Sequence, residues 1–259
     1  MHAPTQEQPT ITVDGKPRYY EPAPKTMNLD AFRSVVESRR SVRKFTKKPI
    51  PKDVLDDCLD LAMLAPNSSG LQSWSFHVVR TPELKAKLVK ACMGQLAAKT
   101  AAELIVCTAR TDRVHEFAHR MRDEWPMPSM PPLMRRYYQL IPFNYTPGPL
   151  NAFGLVRKAA IALGGLVTPL PRGPYTHAQV KLWAAKSAAL ACENLVLALR
   201  AHDYDTCMME GFDEARVNKL LGLGQGEFPI MVVGAGERAE DGVFWPRIRF
   251  DRKLFVFEH

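Results

Sequence analysis

No two cysteines in this chain stand as CxxC, and no Cys/His group has the spacing of a metal site. Cysteine itself is sparse and odd in number: Cys58, Cys92, Cys107, Cys192 and Cys207. That excludes a disulfide scaffold, and three of the five sit among apolar residues of periodic segments, as buried reduced thiols do. The N-terminus has no apolar signal core, and the longest apolar run, Ala159 to Val167, is too short to cross a bilayer. These absences predict a soluble cytoplasmic protein with no membrane partner. The 259 residues carry a net charge of +8, yet no Lys/Arg run is interleaved with aromatics. A small anion is therefore the better partner for the excess charge, and nucleic acid is not expected. A GxGxxG turn between strand and helix is also missing. Gly222, Gly224 and Gly226 are loosely similar, but a strand follows them, so a dinucleotide-binding α/β fold is not indicated.

The chain begins with a proline-punctuated stretch, 1–27, that reads as an extended arm. Residues 28–259 read as a single domain. Leu29 to Glu37 spaces Leu29, Phe32, Val35 and Val36 along one helical face. Pro51 opens a second helix with Val54, Leu55, Cys58, Leu59 and Ala62 on its face, ended by Pro66. Trp74 to Val79 has strand composition, and Leu104 to Thr108 is a short apolar run of buried-strand type. Between them, Thr81-Pro82-Glu83 starts a helix that runs to about Cys92. An excursion at about 111–175 is rich in proline and aromatics. It is either a lid over a site or packing for a partner subunit. His177 to Arg200 reads as the central helix, with Trp183, Ser187, Leu190, Asn194 and Leu197 on one face and alanines beside them. Asp213 caps a short helix stopped by Gly222. Phe228 to Val233 is a buried strand ended by Gly234-Ala235-Gly236, and Val243 to Phe257 is extended. Dispersed strands among more numerous helices predict an α+β layer fold.

Four stretches carry chemistry. Ser38-Arg39-Arg40-Ser41-Val42-Arg43-Lys44 puts four cations and two hydroxyls where the first helix ends. Arginine forks suit phosphate or carboxylate, although a solvated basic helix end has the same composition. Arg247 and Arg249 flank Ile248, so an extended chain sets them on one face roughly 7 Å apart, as a phosphate clamp or as charges guarding an edge. Pro66-Asn67-Ser68-Ser69-Gly70 is a turn whose small residues let backbone approach a flat ligand. Met208-Met209-Glu210-Gly211-Phe212 follows the central helix closely, with a polarizable surface and an accessible Gly N–H.

In this order, RRSVR after a helix, APxSxGxLQxW, MEGF and a basic pair near residue 250, the set resembles the FMN-dependent nitroreductase family. The resemblance spans about Leu29 to Phe257, apart from the excursion. It implies an α+β sandwich, with a central mixed or antiparallel sheet flanked by helices, in an intertwined homodimer with FMN at the interface. Arg39, Arg40 and Ser41 then correspond to ligands of the FMN phosphate and ribityl region. Arg43 corresponds to the cation near flavin N1, and Gln95 to a polar residue at the ring edge. Pro66, Asn67 and Ser68 correspond to a loop laid on the partner's ring. Met209, Glu210 and Gly211 correspond to the segment facing N5, and Arg247 and Arg249 to the second phosphate pair. Here position 70 is Gly where many members have Asn, and Met208 replaces a common Pro. The implied activity is a flavoprotein oxidoreductase passing hydride from NADH or NADPH to a nitroaromatic or quinone-like acceptor by a ping-pong cycle. The flavin does the chemistry, so no acid–base side chain and no metal are expected. FMN storage, dehalogenation and flavin-destructive chemistry are the alternatives. Glu210, His77 and His177, the conceivable proton donors, read first as structural residues.

Overall fold

A computed structural model describes residues 10–13, 16–19, 26–127 and 129–259. Strands β1 (Thr10–Val13) and β2 (Lys16–Tyr19) pair antiparallel within the expected arm, whose positions 1–9, 14–15 and 20–25, like Pro128, lie outside the described residues. Helix α1 (Leu29–Ser38) is capped by Asn28, whose side chain accepts from the Ala31 N–H. Helix α2 (Lys52–Met63) follows Pro51, and strand β3 (Trp74–Val79) matches its expected bounds. Then come α3 (Pro82–Ala91), α4 (Leu96–Thr100) and β4 (Glu103–Arg110). Thr81 sits at the N-cap position of α3 but makes no side-chain cap bond.

The excursion forms three helices, α5 (Val114–Asp123), α6 (Pro132–Asn144) and α7 (Ala152–Gly164). Helix α8 (His177–Ala201) is the long one, followed by β5 (Asp205–Met209), α9 (Glu214–Leu221) and β6 (Glu227–Gly236). Asp213 accepts from the Arg216 N–H to start α9, and Gly222 ends it in the left-handed region at φ 63°. The main sheet has the order β3-β4-β6-β5 and is antiparallel throughout.

Alternation along β4 decides the layers. Leu104 and Val106 face a core shared with Leu88, Cys92, Val217 and Cys207, so α3 and α9 cover that side. Ile105 and Cys107 face the other side, where α2 and α8 supply Leu55, Cys58, Cys192, Leu195 and Leu199. A third core joins Leu71 and Trp74 to Tyr138, Ile141, Val180 and Trp183, tying α5 and α6 to α8. More than half of the apolar window of α8 is buried, so its hydropathy is that of a core helix. All five cysteines are buried and unbridged.

Three expectations need correction. Leu190 is half exposed on α8, and the buried seam runs through Ala184, Ala188, Ala191, Leu195 and Ala198, because small residues let α2 approach closely. Strand β6 does not stop before Gly234 but runs to Gly236. A Cβ at Gly234 would stand 3.3 Å from Ala101 Cβ, and one at Gly236 would stand 3.2 Å from Ala102 N. These glycines make room for the end of α4 and the Ala101-Ala102 connection that follows it, so they are packing residues and not a strand terminator. Finally, 243–257 forms no strand; it runs irregularly with one 3₁₀ turn at Arg252–Leu254, and Ile248 and Phe250 are exposed.

Candidate functional site

Beyond α1 the chain extends and docks beside β5. Ser41 bridges Thr206 in parallel, the Val42 N–H donates to Thr206 O at 2.9 Å, and Val42 and Phe45 are buried anchors. Arg43 is held between them, its N–H donating to Gly242 O at 2.7 Å. Because this segment and β5 run the same way, the basic cluster lies alongside the strand that ends at Met209 and is followed by Glu210 and Gly211. Met209 is buried while Glu210 and Gly211 are exposed, so at Met209 only the backbone is presented. Gln95, before α4, reaches the same point: its Nε2 donates to Gly211 O at 2.8 Å.

The stretch 243–249 closes the other side. Arg247 donates through Nη2 to Glu37 O at 2.9 Å and also to Arg39 O, so it caps the C-terminal carbonyls of α1. Arg40 returns a bond to Trp245 O. Between the two stretches is a cavity of about 210 Å³ lined by Arg39, Arg40, Ser41, Arg43, Arg247 and Arg249. An adjoining cavity of about 240 Å³ continues from Arg43 to Gln95. Phe244 and Trp245 border both.

Five guanidinium groups therefore converge, and none of them forms an ion pair among the described residues. Lost hydration, then repulsion from Arg249, Arg39 and Arg40, pulls Arg247 below its ordinary pKa. Charge so concentrated and unneutralised calls for an anion. At the inner end, the buried Cys207 thiol is raised by desolvation, an effect opposed by the adjacent Arg43 guanidinium.

Pro66, Asn67 and Ser68 do not join this group within one chain. Asn67 Oδ1 accepts from the Gln72 N–H at 2.8 Å and shapes the turn, while Ser69 Oγ meets Tyr137 Oη at 2.7 Å and Tyr138 Oη donates to Ser69 O. The loop is thus fixed on α6, with Ser69 at φ 63°.

Two of the conceivable proton donors, His77 and His177, are engaged or outlying, whereas Glu210 stands exposed beside Gly211. His77 Nε2 lies 2.8 Å from Glu227 Oε1 in a cluster with Thr108 and Arg110, where the register of β4 and β6 shifts. His177 contacts Gly148 O at 3.1 Å. Phe244 and Trp245 went unnoticed as lining residues. Their one signal was an exposed-type aromatic pair directly before the cations, and their rings stand edge to face at 5.5 Å.

Known proteins resemble the chain along most of its length. The "NADH dehydrogenase" of Thermus thermophilus is 28% identical over 86% of this chain and 94% of its own. The "CLA biosynthesis enone reductase" of Lactiplantibacillus plantarum is 27% identical over 89% and 95%. Among solved structures, a protein of Exiguobacterium sibiricum described as a nitroreductase in complex with FMN superposes with a TM-score of 0.65. The match covers 88% of this chain and 97% of that one at 21% identity, which bears on the fold. A nitroreductase family protein of Streptococcus pneumoniae gives the same TM-score, 0.65, at 22% identity over 88% and 100%. The profile of the Nitroreductase family matches residues 36–237, the stretch that carries the RRSVR segment, the turn at Pro66, Gln95 and the segment from β5 to Gly211, and the chain belongs to that family of oxidoreductases.

Proposed function

We propose that the protein is an FMN-dependent oxidoreductase working as a homodimer, with NAD(P)H as reductant. The observation that carries this reading is the unneutralised arginine cavity opening onto Gln95 and Gly211. When bound, FMN supplies the hydride chemistry itself, accepting from NAD(P)H and passing to a nitroaromatic or quinone-like acceptor in a ping-pong cycle.

The chain's own residues bind and orient. Arg39, Arg40, Arg247 and Arg249, with Ser41, neutralise and hydrogen-bond a terminal phosphate. Arg43 fixes a positive charge at the inner end, where negative charge on the pyrimidine edge is stabilised. Gln95 spends its Nε2 on Gly211 O, which leaves its carbonyl oxygen to accept from a ring-edge N–H. Gly211 carries no side chain, so the backbone of Met209–Gly211 can lie close to a flat ring. Phe244 and Trp245 supply an apolar wall that excludes water. Pro66, Asn67 and Ser68 serve the second subunit's site, since their own is out of reach. The homodimer reading draws on α1, an amphipathic helix with no buried residue. The five free, buried thiols favour a reducing, cytoplasmic setting.

The test is the visible spectrum of the purified protein. A yellow protein that releases FMN, not FAD, on denaturation and is bleached anaerobically by NADH or NADPH, then restored by a nitroaromatic, is expected. A colourless protein that takes up no added FMN overturns the reading.

A further inference from the structure

A second basic concavity lies apart from the arginine cavity. It is a groove of about 390 Å³ between α3 and α9, lined by Leu84, Lys87 and Lys90 from one helix and Arg216, Lys219 and Leu220 from the other. The two leucines are half-buried and form an apolar floor; the four cations stand exposed along the rims. No acidic residue lines it. Arg216 pairs with Asp213 at 3.0 Å, whereas Lys87, Lys90 and Lys219 have no carboxylate partner among the described residues. A merely solvated helix pair alternates its charges; this one presents a single sign around a hollow. The other lysine-rich hollow, at Lys44, Lys47, Lys85 and Lys99, is less available. There Lys44 pairs with Asp241, and Lys85 donates to Ala102 O at 2.5 Å.

The groove also has a direction. The Asp213 N–H donates to Ala91 O at 2.8 Å, so the C-terminus of α3 meets the N-terminus of α9 and the helices run antiparallel. That junction adjoins Gln95 and Gly211, which are themselves hydrogen-bonded. Lys90 and Arg216 stand at this near end. Lys87 and Lys219 stand one turn farther out, Lys219 roughly 9 Å along the axis from Asp213. The cations thus form two tiers leading away from the site where hydride would be delivered.

We propose that this groove holds the phosphorylated adenosine end of the nicotinamide reductant, and that it makes the protein prefer NADPH to NADH. The near tier, Lys90 and Arg216, takes the pyrophosphate. The far tier, Lys87 and Lys219, takes the 2′-phosphate, the dianion that NADH lacks, and the leucine floor supports the adenine. The proposal rests on the NAD(P)H-oxidoreductase reading above.

Steady-state kinetics of the FMN-loaded protein with each nucleotide tests it. The wild type should show a KM for NADPH about tenfold below that for NADH, as two exposed charge pairs allow. Lys87→Glu with Lys219→Glu should erase the difference, Lys87→Ala with Lys219→Ala should reduce it, and Lys90→Glu should raise both KM values. Adenosine 2′,5′-bisphosphate should compete with NADPH more strongly than 5′-AMP. Equal KM values in the wild type, or a ratio unmoved by both double substitutions, overturn the assignment while the oxidoreductase reading stands. Duplex DNA competing as well as the bisphosphate also overturns it, marking a general polyanion surface. A protein whose flavin neither nucleotide bleaches defeats the oxidoreductase reading instead.

Discussion

Arg43 and Arg247 are both arginines beside the same cavity, yet their surroundings assign them different work. Arg247 spends part of its fork on Glu37 O and Arg39 O, so it joins residue 247 to α1 while lending charge to the cavity. A phosphate interacts alike with such a residue in both redox states. Arg247→Ala should weaken FMN binding about tenfold or more and leave the reduction potential unchanged, as measured by fluorescence titration and redox titration. Arg43 lies at the Gln95 end, where the reading proposed above puts the charge that develops on reduction. Arg43→Ala should lower the reduction potential of the bound FMN and slow its bleaching by NAD(P)H at saturating FMN, with Arg43→Lys restoring part of both. An unchanged potential in Arg43→Ala would make it one more anchor. Asp112 offers a pH signature. It bonds Arg110 at 2.8 and 2.6 Å, and that partner holds its pKa below the ordinary 3.8. A lowered folded pKa stabilises above 3.8 and loses its effect as pH falls through the lower value. Asp112→Asn should therefore cost of order 1 kcal/mol in urea unfolding near about pH 7, discounted for partial exposure, and progressively less as the pH is taken below 3.8.

Among the elements, α1 carries the clearest unmet demand. Ten residues are too few for a helix to persist on its own in water, and Leu29, Phe32 and Val36 are 62%, 59% and 41% exposed. On the homodimer reading proposed above, a second copy covers that face. Phe32→Glu should then shift the protein toward monomer in light scattering and lower its flavin content, because the Pro66–Ser68 loop leaves with the partner. A variant that stays dimeric would free α1 from that role. Within the excursion, Tyr145 stacks on Trp183 with centroids 4.2 Å apart, and Phe143 is exposed under the Arg157 guanidinium. The segment thus has one inward side that serves packing and one outward side open to a ligand or a neighbour.

At the scale of the whole molecule, legibility followed how local the determining contacts are. Trp74–Val79 could be read because its β-branched and aromatic composition has no competing use, and α9 because Asp213 and Gly222 are start and stop signals in themselves. The cations of the RRSVR stretch could be read as one cluster, and the structure gathers them with Arg247 and Arg249 around one cavity, because their charge travels with the sequence. Gly234 and Gly236 could not be placed inside β6, since what requires them is the Ala101-Ala102 connection after α4, more than 130 positions earlier. Nor could the fork of Arg247 be foreseen, since its acceptors are carbonyls 210 and 208 positions away. Phe244 and Trp245 were hidden for the same reason, as walls of a cavity whose other side is 39–43.

That separation bears on synthesis. The arginine cavity is built from residues 39–43 and 243–249, which a ribosome makes at opposite times. The cavity cannot form before 243–249 has been translated. A nascent chain is therefore without its anion pocket until nearly every other part is in place, and a chain cut short before Arg247 keeps α1 uncapped. A cavity able to take an anion there exists only once the chain has been extended past Arg249.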